Sequence, residues 1–253
     1  MSLPRKVEPE LLDQLPADDP RAIRSRRDLK LINALAFHAG LMARGLISHY
    51  GDDKPRTLVD IGAGDGTFML GVARRLASRW PNVNVILLDR QSIVSDETRA
   101  GFAALGWKVE TVAADLFDFF EGSGPVAVDI ITANLFLHHF TPQQLARLFM
   151  RVAQAARLFV ACDPRRTAWV REISRLGWAI GCNDVSVHDA VASARAGFNG
   201  KELSALWPSG ENWELHERAA GLLSHCFVAR RAAITDPIAR AETRAPEQGR
   251  QGA

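Results

Sequence analysis

The sequence predicts an α/β protein built on a doubly wound, mostly parallel sheet. Three observations carry that reading. Short apolar runs with β-branched residues recur at positions 57–61, 83–89, 107–112, 126–132 and 158–162, and helical patterns fill the gaps at 68–80, 94–105 and 143–156. The runs are close to continuously apolar rather than alternating, as strands covered on both faces are. The first run ends in glycines and opens a helix, which is how a strand feeds a ligand loop in this class.

Taken in order, residues 1–17 carry Pro9 and Pro16 and little periodicity, and read as a loosely held lead-in. Asp18-Asp19-Pro20 is a helix start, an acidic cap followed by proline at the first helical position. From there Ile23, Leu31, Ile32, Leu35, Ala39, Met42 and Leu46 recur at helical spacing, so a single amphipathic cap helix is expected. Its other face carries Arg24, Arg26, Arg27 and Lys30, which read as a solvated face. Past Pro164 the alternation stops. Residues 166–211 read as a helical insert, with Trp169, Trp178, Phe198 and Trp207 near where a lid would lie. Positions 213–218 and 222–230 read as a hairpin around Ala219-Ala220-Gly221. The expected division is therefore a lead-in and cap helix at 1–54, a main domain at 55–234 with the insert, and a disordered tail at 235–253 rich in Ala, Arg, Gln, Glu, Gly and Pro.

Composition excludes several classes. With 253 residues, 47% hydrophobic and 24% charged, the chain is neither disordered nor fibrous. A net charge of +2 from 31 basic and 29 acidic residues gives no general attraction to nucleic acid or anionic lipid. Cys162, Cys182 and Cys226 are scattered, with no CxxC, so neither a disulfide framework nor a metal site is expected. No apolar run reaches the ~18 residues of a membrane span, and the N-terminus carries charge where a secretory signal needs an apolar stretch. A cytoplasmic protein of unspecified oligomeric state is the expectation.

The chemistry concentrates at strand ends. Asp60-Ile61-Gly62-Ala63-Gly64-Asp65-Gly66 lets the backbone turn sharply and approach a ligand, because glycine has no Cβ in the way. Asp89 closes the second run, placed to hydrogen-bond two ribose hydroxyls, and Asp115, beside Leu116, follows the third, placed to accept from an adenine amine. A dinucleotide would ask for GxGxxG with a pyrophosphate on the helix N-terminus. Here the spacing is GxGxG, and Asp60 and Asp65 put negative charge at the loop. That favours a nucleoside with a cationic group and no phosphate, which describes S-adenosylmethionine.

With its neighbours Leu88-Asp89 and Ala114-Asp115-Leu116, the loop Val59-Asp60-Ile61-Gly62-Ala63-Gly64-Asp65-Gly66 resembles the signature of the class I S-adenosylmethionine-dependent methyltransferases. The resemblance covers residues 55–163. It implies a Rossmann-like seven-stranded sheet with an antiparallel last strand, glycines around the methionine moiety, Asp89 on the ribose, Asp115 on the adenine and Asn134 lining the site. Leu137-His138-His139-Phe140 is similar to the segment of small-molecule O-methyltransferases in which a histidine deprotonates a phenolic hydroxyl, which makes His138 the candidate base and His139 the second. The competing reading has the pair anchoring the next helix. Residues 18–29 and 188–198 resemble methyltransferases encoded beside type III polyketide synthases, implying a phenolic or resorcinol-like acceptor.

Amino methylation in this family uses an Asn/Asp-Pro-Pro-aromatic run, where this chain has Asn134-Leu135-Phe136-Leu137. A small-molecule acceptor, with no nucleic acid, is therefore expected, methylated at a phenolic or enolic oxygen. The alternatives are methylation of a ring carbon and a module that binds S-adenosylmethionine without turnover.

Overall fold

The computed structural model describes residues 4–35, 37–122, 127–209 and 212–232. The expected tail at 235–253 lies outside them. The sheet has seven strands, β1 (Thr57–Ile61), β2 (Asn84–Asp89), β3 (Lys108–Ala113), β4 (Val128–Asn134), β5 (Ala156–Pro164), β6 (Trp213–Ala220) and β7 (Ser224–Arg231), in the order β3-β2-β1-β4-β5-β7-β6. Strands β1 to β5 pair in parallel, while β7 lies antiparallel between β5 and β6. The strand order reverses between β1 and β4, so their carboxyl ends splay around a crevice.

The helices are α1 (Leu11–Gln14), α2 (Pro20–Leu35), α3 (His38–Tyr50), α4 (Thr67–Leu76), α5 (Asp96–Ala104), α6 (Leu116–Gly122), α7 (Pro142–Ala155), α8 (Ala168–Arg175) and α9 (Asp184–Ala196). Local chemistry fixes several starts. Thr141 and Gln144 form a capping box ahead of α7, with Pro142 at its first turn. Ser95, Thr167 and Asn183 accept from the third residue beyond them at α5, α8 and α9.

Two cores flank the sheet. One packs Leu145, Leu148, Phe149 and Val152 of α7 with Phe159, Trp207 and Phe227. The other packs Met42 and Leu46 of α3 and Met69, Val72 and Leu76 of α4 with Trp80, Phe102 and Trp107.

The structure corrects the sequence reading in several places. The expected single helix is two, α2 and α3, broken where Phe37 takes a left-handed conformation at φ 54° and His38 turns inward. The lead-in is not loose: Arg5 donates to the carbonyls of Ala196, His138 and Phe140, and the backbone N–H groups of Leu11 and Leu12 are capped by Asp189. The basic face of α2 is partly spent inside the chain, with Lys30 on Asp65, Arg24 on the Gly181 carbonyl and Arg26 on Ala17 and Gln91. Helix α6, seven residues, was not expected, because it spans too few turns to show a helical period. In the insert, Phe198 and Trp207 are core and Trp169 faces solvent.

Candidate active site

One cavity of about 1070 Å³ occupies the crevice at the strand ends. The loop after β1 forms its floor. Gly62 has φ 70°, and a Cβ there would lie 2.2 Å from the Phe136 ring, so only glycine fits. Gly64 lies at φ 55° with nothing within 4 Å of where a Cβ would stand. Gly66 does not line the cavity; it packs behind the loop against Leu87 as α4 begins.

The acidic positions separate into distinct roles. Asp89 accepts from the Gly64 N–H and the Gln91 N–H, each at 2.9 Å, and so ties the loop to the end of β2. Asp115 accepts from the Phe117 N–H at 2.8 Å, opening α6, with Leu116 beside it on the wall. Asp65 accepts from Thr67 and pairs with Lys30 Nζ at 2.7 Å. Burial pushes Asp65 up, but Lys30 and Thr67 outweigh it and hold its carboxyl below the usual range. Asp60 is 2% exposed with Thr132 Oγ1 donating to its carboxylate at 2.7 Å, and burial pushes its pKa up to about 7. The loop is therefore less negative than its sequence suggests, and the carboxylates of Asp89 and Asp115 carry that end of the cavity.

Asn134, at the end of β4, donates to Asn33 Oδ1 at 3.0 Å, while its own Oδ1 is buried without a partner among the described residues. Asn33 also bonds His38 Nδ1, whose Nε2 meets Ser224 Oγ at 2.7 Å. Burial pulls His38 down to about 4, so it is a neutral strut joining α2 and α3 to the sheet. Nothing in its sequence context marks it.

At the other end, residues 137–139 form a short 3-10 turn that buries His138. Its Nδ1 meets Asp163 Oδ1 at 2.8 Å and its Nε2 meets Glu10 Oε1 at 3.2 Å. Burial alone would lower its pKa; the hydrogen bonds to Asp163 and Glu10 overcome that and raise it to about 9. Glu10 responds in kind: burial pushes it up, and His138 outweighs this and holds it at about 2. Near neutral pH the pair is imidazolium and carboxylate. His139 lies 3.9 Å from Glu10 and 3.5 Å from Asp13, and burial together with the His138 charge lowers its pKa. Glu10, His138 and His139 place potential ligand atoms within 4.8 Å of one another. His188 Nδ1 meets Asp189 Oδ1 at 3.0 Å, and both Asp189 oxygens accept from α1.

The structure thus brings together every expected site residue but Gly66. Glu10, Asp163, His38 and Asn33 join them without having been foreseen. Leu12, Leu29, Phe136, Phe140, Val170 and Ile173 supply apolar wall to the cavity.

This architecture is the fold of the class I methyltransferases. Residues 58–157 match the family model described as a methyltransferase domain. Among curated proteins, strychnine O-methyltransferase of Strychnos nux-vomica is 32% identical over 122 residues, covering 47% of this chain and 30% of its own length. The chain thus matches less than a third of that relative. Among solved structures, the plantazolicin methyltransferase BpumL in complex with SAH superposes with a TM-score of 0.61 at 16% identity, covering 87% of this chain and 94% of that one. The mitomycin 7-O-methyltransferase MmcR gives 0.55 at 21% identity, covering 87% and 60%. Among the described residues no single helix is long and apolar enough to cross a membrane.

Proposed function

We propose that this chain transfers the methyl group of S-adenosylmethionine to an oxygen of a small molecule. The observation that carries the reading is one continuous cavity with the glycine loop, Asp89 and Asp115 at one end and the Asp163–His138–Glu10 array at the other. The residues present fit the cofactor. The space beside Gly64 is open, Asn134 offers an unpaired buried oxygen at the cavity wall, and two strand-end carboxylates suit hydroxyls and an amine.

The bound cofactor would supply an already activated methyl group, so the protein has mainly to align the acceptor and manage its proton. Asp89 and Asp115 would hold the nucleoside, and Gly62 and Gly64 would shape the loop around the amino-acid portion. The apolar wall around His138 and the strap of residues 4–14 would exclude water. His138 is oriented by Asp163, and its Nε2 is turned to Glu10 at the cavity wall. In the arrangement seen it is already protonated, so its role is to hold the acceptor oxygen by a charged hydrogen bond.

The test is calorimetric titration with S-adenosylhomocysteine, followed by transfer of labelled methyl to a panel of phenols. Asp89→Ala is expected to weaken binding by roughly 1.5–3 kcal/mol, the range for hydrogen bonds to a charged group. His138→Ala, which removes a preorganised donor to the acceptor oxygen, is expected to lower its turnover on the order of a hundredfold. Unchanged turnover would place the chemistry on an acceptor that makes no use of the imidazole, such as an activated ring carbon.

A further inference from the structure

We propose that Glu10 is a removable counter-ion in the acceptor site, and that the acceptor binds as an oxyanion, seated on His138 Nε2–H in place of the Glu10 carboxylate. The proposal rests on the methyltransferase reading above and deepens it, since it names the acceptor class: a phenol or enol acidic enough to bind ionised.

Four observations carry it. First, His138 has one nitrogen to offer. Asp163 Oδ1 holds Nδ1 at 2.8 Å and also accepts the His138 backbone N–H at 3.2 Å, so the ring is held with Nε2 turned to Glu10, which lines the cavity as His138 does. Second, that nitrogen is occupied by a side chain from outside the matched methyltransferase domain, Glu10 at 3.2 Å, on a strap that lines the same cavity. Third, Glu10 has polar neighbours besides His138: Ser193 Oγ meets the same Oε1, and His139 Nε2 lies 3.9 Å from Oε2, so the carboxylate keeps partners when the acceptor takes Nε2. Fourth, the strap itself need not move. Arg5 ties it to the carbonyls of Ala196, His138 and Phe140, and Asp189 caps Leu11 and Leu12.

Charge balance then selects the acceptor. His138 is fully buried beside Asp163, with His139 and the backbone-bound Arg5 close by, and Asp13 beyond His139. A neutral hydroxyl at Nε2 would leave the imidazolium with the Asp163 carboxylate on Nδ1 but no second anion on Nε2. An oxyanion replaces like with like. The acceptor's proton leaves to water, or to the Glu10 carboxyl, which burial pushes up once His138 no longer offsets it.

The experiment uses para-nitrophenol, whose ionised and neutral forms absorb at different wavelengths, with the full chain, with and without S-adenosylhomocysteine, at a pH below the dye's own pKa. Wild type is expected to bind the dye as phenolate. Glu10→Gln is expected to bind it at least about tenfold tighter, because the competing carboxylate is gone while a hydrogen-bonding group remains for Ser193. His138→Gln is expected to lose the phenolate band and keep its affinity for S-adenosylhomocysteine. Dye bound only as neutral phenol to wild type and Glu10→Gln, or no tightening in Glu10→Gln, overturns the proposal. If His138→Gln does not fold, as judged by thermal unfolding, the two Glu10 variants Gln and Ala decide the matter alone. S-adenosylhomocysteine binding without a phenolate band sinks the oxyanion seat and leaves the methyltransferase reading standing; a phenolate band without S-adenosylhomocysteine binding does the reverse.

Discussion

His138 shows what burial does when two carboxylates accompany it. Desolvation favours the neutral ring, yet Asp163 and Glu10 bring its pKa up to about 9 from an ordinary 6.5. A proton held more tightly in the folded chain than in the unfolded one stabilises the fold below pH 6.5, and that contribution is lost as pH rises toward about 9. The expected loss across that interval is about 3 kcal/mol, read as the difference between urea unfolding at either end. His138→Gln is expected to flatten the slope; an unchanged slope would mean the imidazole is not charged in the folded state. Gly62 makes the opposite kind of argument, from space. A methyl group there meets Phe136 and strains a φ of 70°, so Gly62→Ala is expected to cost about 1–3 kcal/mol and to weaken S-adenosylhomocysteine binding. Calorimetry on the variant checks both.

At the scale of elements, the strap is the part most exposed to single changes. Helix α1 has four residues, too few to hold itself, and its first N–H groups are satisfied by Asp189 of α9 at 2.8 and 2.9 Å. Asp189→Ala is expected to cost about 1–2 kcal/mol. It should also raise hydrogen exchange across residues 4–14, raise KM for the acceptor and leave affinity for S-adenosylhomocysteine as it was, because the glycine loop lies on another element. Equal loss at both ends of the cavity would show the strap to be part of the general scaffold. The strands were legible because a parallel sheet buried on both faces leaves long apolar runs with few exceptions, as β5 does between Ala156 and Pro164. The break between α2 and α3 was not, since the apolar period carries straight across it. It is set by the inward turn of His38 onto Asn33 and Ser224.

For the whole molecule, the cavity joins the loop after β1, the end of β4, the strap and the insert, so a ligand filling it couples parts that fold far apart in sequence. S-adenosylhomocysteine at a hundred times its Kd is expected to add about 2.7 kcal/mol to unfolding stability. A rise in Tm measured with it, and absent with NAD, separates this site from a dinucleotide site. The two cores on opposite faces of the sheet also explain why helix α3, from the expected lead-in and cap region, belongs to the main body: Met42 and Leu46 are fully buried against the same strands as α4.

The glycine loop, Asp89 and Asp115 could be found by reading along the chain, because each is demanded where a strand ends: a turn needing positive φ, or a carboxylate where the next backbone N–H groups lie bare. The sheet and its covering helices were legible for the same reason, periodicity being a local record of which face is buried. The electrostatic state of the site was not. Lys30 neutralises Asp65 from α2, and His138 gains its charge from Glu10, 128 positions away, and Asp163, 25 away. A side chain's type is written in the sequence, but its proton depends on what other side chains stand within a few ångströms of it. Only the folded chain decides that.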